Sequence, residues 1–247
     1  MTVHLPLLLA AAFFAGALNA MAGGGTFLTL PALMLVGVPP VAANATGTVA
    51  LLPGYVASSW GFRQALRTQP GTNLVLTAIV SLSGGAIGAA LLLVTSNQAF
   101  RAVVPWLMLM ATLLFAFGPW LMARLQRTEP AGRAATSAGL LLASIYGGYF
   151  NGGLGIVLLA LLGLLGYTHL NFMNGLKNLI SAILTSIAVL VYALGKTVIW
   201  SDALMMMPAA IVGGYTGALL AQRLPERQLR YGIVSIGVIT TAWFFSK

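Results

Sequence analysis

Asn174, Lys177 and Asn178 stand at i, i+3 and i+4 within NFMNGLKNLIS, residues 171–181. On a helix these three side chains face one way. An ammonium with two carboxamides is a cluster of N–H donors, the equipment for holding an anion. The surrounding segment is built for hydrocarbon, where a charge costs roughly 3 kcal/mol on insertion scales and faces a cavity or a partner. No acid nearby in sequence could neutralise Lys177, so a bound anion would supply the missing charge. The competing reading is a lysine near the helix start that snorkels to the interface. Asn44 and Thr48 form a comparable pair at i and i+4, polar but uncharged.

Little else in the chain could do chemistry. Its acids are Glu129, Asp202 and Glu226, its histidines are His4 and His169, and it has no cysteine. Thiolate chemistry, disulfides and Cys-ligated metals are therefore excluded. General acid–base catalysis and hard-metal binding need convergent carboxylates or imidazoles. The expectation is no enzyme, no metal and no cofactor. His169, at a segment boundary, reads as an interfacial histidine with a proton relay as the alternative.

The elements that must position these residues are membrane helices. Hydrophobic residues make up 59% of 247 and charged residues 6%, with mean hydropathy +0.95. This is an all-α integral membrane protein by composition. The net charge of +9 lies mostly in short gaps between apolar runs, which fits positive-inside topology and not nucleic acid. Apolar segments run from about 5 to 37, 41 to 62, 72 to 95, 102 to 123, 134 to 168, 170 to 195, 203 to 222 and 231 to 246, against about 20 residues for one crossing. The first and fifth are too long for one simple crossing. Both are broken by glycine, at Gly23, Gly24 and Gly25 and at Gly152 and Gly153. The N-terminal run is read as mature structure, since nothing basic precedes it except His4 and it has a counterpart later.

That counterpart belongs to an internal duplication. GGAIGA at 84–89 returns as GGYTGA at 213–218, and Arg101 as Arg230, both after 129 residues. Gly24-Gly25 returns as Gly152-Gly153 after 128, and Asn44 and Thr48 return as Asn174 and Asn178 after 130. The reading is two four-segment repeats, 1–128 and 131–247, with Glu129 and Pro130 in the linker, forming one membrane domain. If the long segments cross once, basic residues split seven to four between the faces. If they double back, the split is eight to three and the copies are inverted. The stronger asymmetry favours inversion.

Broken helices at membrane depth must be buried in protein or line a watery cavity, because lipid cannot satisfy their backbone. A half-helix that starts there points free N–H groups and a partial positive charge ahead of it, which suits an anion. Close packing alone is the other reading of these breaks. For Gly84, Gly88, Gly213 and Gly217, spaced small-xxx-small, packing is preferred. Asn19 and Asn151, each just before a break, either cap a half-helix or add donors to the site. The expected substrate-binding set is therefore Asn19, Gly23, Gly24, Gly25, Asn44, Thr48, Asn151, Gly152, Gly153, Asn174, Lys177 and Asn178.

FFAGALNAMAGGGTFLTLPAL, the NATGTVALLPGY that follows it, and NGLKNLI in the second half resemble the TauE/SafE (sulfite exporter, TSUP) transporters. The resemblance covers essentially the whole chain. It implies a multi-pass permease of the bacterial inner membrane for small sulfur-containing or organic anions such as sulfite or sulfoacetate, usually in export. The family's glycine break falls on Gly23, Gly24 and Gly25, and its Asn-x-x-Lys-Asn pattern on Asn174, Lys177 and Asn178. Asn-Gly-Gly at 151–153 departs from the longer glycine run often seen there. Expected partners are a small anionic substrate and the lipid bilayer, with a homodimer admitted and no nucleic acid. An anion channel and a non-transporting scaffold are the competing functions. No apolar segment holds a buried acid, so proton coupling would fall to His169, Lys177 or the substrate. Lys177→Ala is expected to abolish binding and leave the fold intact.

Overall fold

The computed structural model describes residues 4–67, 73–125, 132–223 and 226–246. The expected linker at Glu129 and Pro130, and with it the boundary between 1–128 and 131–247, lies outside them. The described residues form helices and no strand: α1 (His4–Met21), α2 (Thr26–Leu35), α3 (Pro40–Gly61), α4 (Arg63–Arg67), α5 (Leu74–Val94), α6 (Asn97–Leu125), α7 (Arg133–Tyr149), α8 (Leu154–Leu164), α9 (Leu170–Leu194), α10 (Trp200–Ala221) and α11 (Glu226–Phe245). Among them α1, α5, α9 and α10 are each long and apolar enough to cross a membrane. Large apolar side chains such as Trp60, Val75, Val94, Leu142 and Ile239 are exposed on the outer surface, as lipid-facing residues are.

Local chemistry sets the helix ends. Pro40 opens α3, where a missing N–H costs nothing. Asn73 caps α5 by accepting from the Leu76 amide at 3.0 Å. α2 and α8 end alike: Gly37 and Gly166 both have φ of +91°, and the next residue's amide reaches back, Val38 to Leu33 at 3.0 Å and Tyr167 to Leu162 at 3.1 Å. This left-handed ending satisfies the last carbonyls of a helix whose chain must turn sharply.

The two glycine-broken runs each become a long helix, an elbow and a short helix. Glycine contacts then fix the directions. Gly213 lies against Phe13 and Gly217 against Ala17, so α1 and α10 run the same way, and Gly54 against Ala210 with Gly61 against Ala218 aligns α3 with them. A second set runs α5, α7 and α9 together: Gly84 meets Leu141 and Ser144, Gly88 meets Ile145 and Tyr149, Gly85 meets Leu184, and Gly195 meets Leu93. These contacts bring backbones together, as small-xxx-small spacing requires. α3 and α9 are antiparallel, because Gly175 at the start of α9 touches Phe62 past the end of α3, while Thr46 near the start of α3 accepts from Ile199 past the end of α9.

Since α1 and α3 run the same way, α2 must carry the chain back between them, and α8 does so between α7 and α9. Ten or eleven residues span only about 15 Å, half of the roughly 30 Å hydrocarbon core. Both long segments therefore double back. Arg63, Arg67 and Arg223 follow the ends of α3 and α10 on one face, and Lys196 and Arg101 lie at the opposite ends of the crossings. α6 and α11 pair antiparallel, with Trp106 edge-on to Phe245 at 5.2 Å and the Thr112 and Thr241 hydroxyls 3.5 Å apart.

Candidate functional site

The chain uncoils at residues 22–25 and again at 150–153. Gly23 has φ of +94°, Gly153 +72° and Asn151 +63°, a left-handed conformation that turns the chain back on itself. The two elbows touch. A Cβ on Gly23 would stand 2.2 Å from the Gly155 Cα, and one on Gly155 would stand 2.5 Å from the Gly23 Cα. No side chain fits between them. Gly25 is equally closed in by Ala15 and Asn19, Gly152 by the Phe150 ring, and Gly153 by Ala111.

Asn19 and Asn151 hold the elbows from inside. The Asn19 Oδ1 accepts from the Gly25 amide at 2.7 Å, capping the start of α2, and this contact turns its Nδ2 away with no partner. The Asn151 Oδ1 accepts from the Tyr55 hydroxyl at 3.1 Å, and its Nδ2 is also unpartnered. Tyr55 thus reaches from α3 to the second elbow. Thr26, first residue of α2, adds a third unpartnered polar group. Asn19, Thr26 and Asn151 are all at most 2% exposed. A buried donor without a partner costs about 1–3 kcal/mol, so Asn19, Thr26 and Asn151 leave the elbows with polar groups that the protein itself does not satisfy.

Lys177 is the charged side chain buried among the described residues, at 0% exposure. Its ammonium donates to the Asn19 carbonyl at 3.0 Å, the Ala20 carbonyl at 3.1 Å and the Asn174 Oδ1 at 3.0 Å. Asn178 Nδ2 joins it on the Ala20 carbonyl at 3.2 Å. An ammonium has three donors, and all three are occupied. Its negative partner is the C-terminal end of α1, where unpaired carbonyls and the helix dipole gather partial negative charge. The amine is buried among α1 carbonyls, so the snorkelling reading does not hold.

Asn44 does the corresponding work at the end of α7, its Nδ2 donating to the Tyr149 carbonyl at 3.0 Å. Thr48 is buried beside it on α3 with its hydroxyl unpartnered. The structure thus gathers Asn19, Gly23, Gly24, Gly25, Asn151, Gly152 and Gly153 at the elbows. Asn174, Lys177 and Asn178 brace the α1 end, and Asn44 the α7 end. Sequence reasoning missed Tyr55, Tyr146 and Tyr192. Tyr146 donates to the Gly152 carbonyl and Tyr192 to the Gly148 carbonyl, so both hold the second elbow. The available signal was a phenol in an apolar segment, which needs an acceptor when buried. His169 is exposed at the N-cap of α9.

A long helix broken at glycine, a re-entrant half-helix and a polar elbow, occurring twice, are features of membrane carriers. The chain is similar to a probable membrane transporter protein of Haemophilus influenzae, 29% identical over 96% of this chain and 93% of the relative. Probable membrane transporter proteins of a Sinorhizobium species (ORF9) and of Escherichia coli (YfcA) are each 27% identical, over 95% and 96% of this chain and 89% of each relative. The family model described as sulfite exporter TauE/SafE matches residues 8–244. With both elbows inside that match, this multi-pass membrane protein belongs to the TauE/SafE sulfite exporter family.

Proposed function

We propose that this protein exports small sulfur-containing or organic anions, such as sulfite or sulfoacetate, across the bacterial inner membrane by alternating access about the point where the elbows meet. The observation that carries this reading is the contact of Gly23 with Gly155 beside the unpartnered Asn19 and Asn151 amides. Those free atoms are N–H donors, which suit sulfonate, sulfite or carboxylate oxygens. α2 and α8 both start at the elbows and direct their positive dipole ends toward the same place. Lys177 adds positive charge behind Asn19 while holding the α1 end in position. Residues Asn44, Asn174 and Asn178 shape this site through the helix ends they brace, and Thr48 stands beside Asn44 on α3.

The same reading takes 1–128 and 131–247 as inverted halves of one membrane domain. Its support is an exchange of neighbours. α1 and α3 pack on α10 as α7 and α9 pack on α5, and the antiparallel α6–α11 pair meets at Thr112 and Thr241, 129 residues apart. Halves related in this way can rock against each other and expose a midplane site to either side in turn. The site asks for no catalysis and no cofactor.

Efflux of labelled sulfite or sulfoacetate from proteoliposomes tests the proposal. Saturable flux is the expected result. A non-saturating anion conductance in planar bilayers would replace the carrier with a pore, and neither flux nor anion binding by the folded protein would reduce it to a scaffold.

A further inference from the structure

The two long-helix ends are met by residues in the same sequence register but with different side chains. Asn44 stands where Asn174 does and Thr48 where Asn178 does, 130 residues apart, and that register sets Gly47 opposite Lys177. On the second half's side an ammonium lies between the α1 carbonyls and the Asn174 Oδ1. On the first half's side there is no side chain at all. Beside Gly47 stands the Thr29 side chain, with Leu33 next to it, and Asn44 and Thr48 flank it on the same helix face. A Cβ there would stand 3.0 Å from the Thr29 hydroxyl, which is 0% exposed and unpartnered. Asn44 donates its Nδ2 to the Tyr149 carbonyl, which turns its Oδ1 the other way, unpartnered. The Thr48 hydroxyl, on the same face one turn beyond Asn44, is unpartnered too.

The chemistry of these free atoms is opposite to that at the elbows. Asn19 and Asn151 leave donors free, whereas Asn44 leaves an acceptor free, and the two threonine hydroxyls can both present lone pairs. Oxygens converging beside the C-terminal end of a broken helix are how membrane carriers hold a coupling cation. No carboxylate occurs in α2, α3 or α7. A divalent ion draws on carboxylates, so neutral oxygens point to a monovalent one.

We infer that Thr29, Asn44 and Thr48 form a sodium-type monovalent cation site at the end of α7, in the place that the Lys177 ammonium fills at the end of α1. One half carries a fixed cation and the other an exchangeable one. The inference rests on the transporter reading and on the pairing of the halves, and it supplies the coupling ion that a sequence with no acid inside an apolar segment leaves open.

The test uses the full-length protein in detergent with no anionic substrate beyond chloride. Thermal unfolding is followed in sodium, potassium and choline chloride at equal ionic strength. The expected result is a saturable rise of about 5 °C in sodium over choline, with a smaller one in potassium. Thr48→Val and Thr29→Val remove the sodium response, and Thr48→Ser keeps it. Gly47→Lys, which supplies an ammonium covalently, makes the unfolding temperature independent of sodium. Equal unfolding temperatures of the wild-type protein in sodium and choline would overturn the inference, even where the valine variants fail to fold. So would a sodium response retained in both valine variants. Failure here is distinct from failure of the transport reading: saturable anion flux without sodium stabilisation removes the cation site alone, and sodium stabilisation without flux removes the exporter.

Discussion

The end of α1 and the end of α7 pose the same problem and receive different solutions. Both helices stop inside the protein with carbonyls that cannot reach water. At α1, Lys177 and Asn178 supply charged and neutral donors together. At α7, Asn44 and Tyr192 supply neutral donors alone. Hydrogen bonds from a charged donor contribute roughly twice what neutral ones do. The α1 end is therefore the more strongly held of the two, and on the proposed carrier reading the α7 elbow is the one that rearranges. Lys177 emerges as the residue that holds the α1 end.

Gly23→Ala is the harshest way to break the comparison, since it attacks what both ends share. The new Cβ would meet the Gly155 backbone at 2.2 Å in a left-handed conformation. A loss of about 4 kcal/mol is expected, read as collapse of the monodisperse peak in detergent. Lys177→Ala comes next. It takes the ammonium from two buried carbonyls and should cost about 3 kcal/mol by thermal unfolding, together with anion affinity. The sequence alone suggested a variant that loses binding and stays folded; the three occupied donors add a stability cost to that expectation. Asn44→Ala should cost less, about 1.5 kcal/mol, because a neutral donor leaves one carbonyl bare. A larger loss there than at Lys177 would reverse the assignment of stiff and soft ends. Gly37→Ala is the mildest change. It has a positive φ of +91° but nothing within 4 Å, so only backbone strain remains, about 1 kcal/mol, with transport unaffected.

The sequence made the helices and the elbows legible because both are local signals. Hydropathy runs placed the crossings close to their ends, as 170–195 did for Leu170–Leu194, and the glycine runs placed both uncoiled points. Spacing of Gly84 with Gly88 and Gly213 with Gly217 named two packing faces, since a close backbone approach demands small residues at that period. The partner of Lys177 was not legible. It lies 157 and 158 residues away, and a search for formal negative charge passes over the partial charge at a helix end. The clue was available in principle, because a helix that stops at Gly23 in apolar surroundings must find donors for its last carbonyls. Tyr55 was missed for a related reason: its acceptor, Asn151, lies 96 residues away, which no single segment announces.

A calorimetric titration of the purified protein with sulfite and with sulfoacetate, run beside Asn151→Leu, tests the central claim most directly. The account predicts saturable binding of at least one of these anions by the wild-type protein and affinity at least tenfold weaker in the variant. Undiminished affinity in a folded Asn151→Leu, or a folded wild-type protein that binds neither anion, would contradict it.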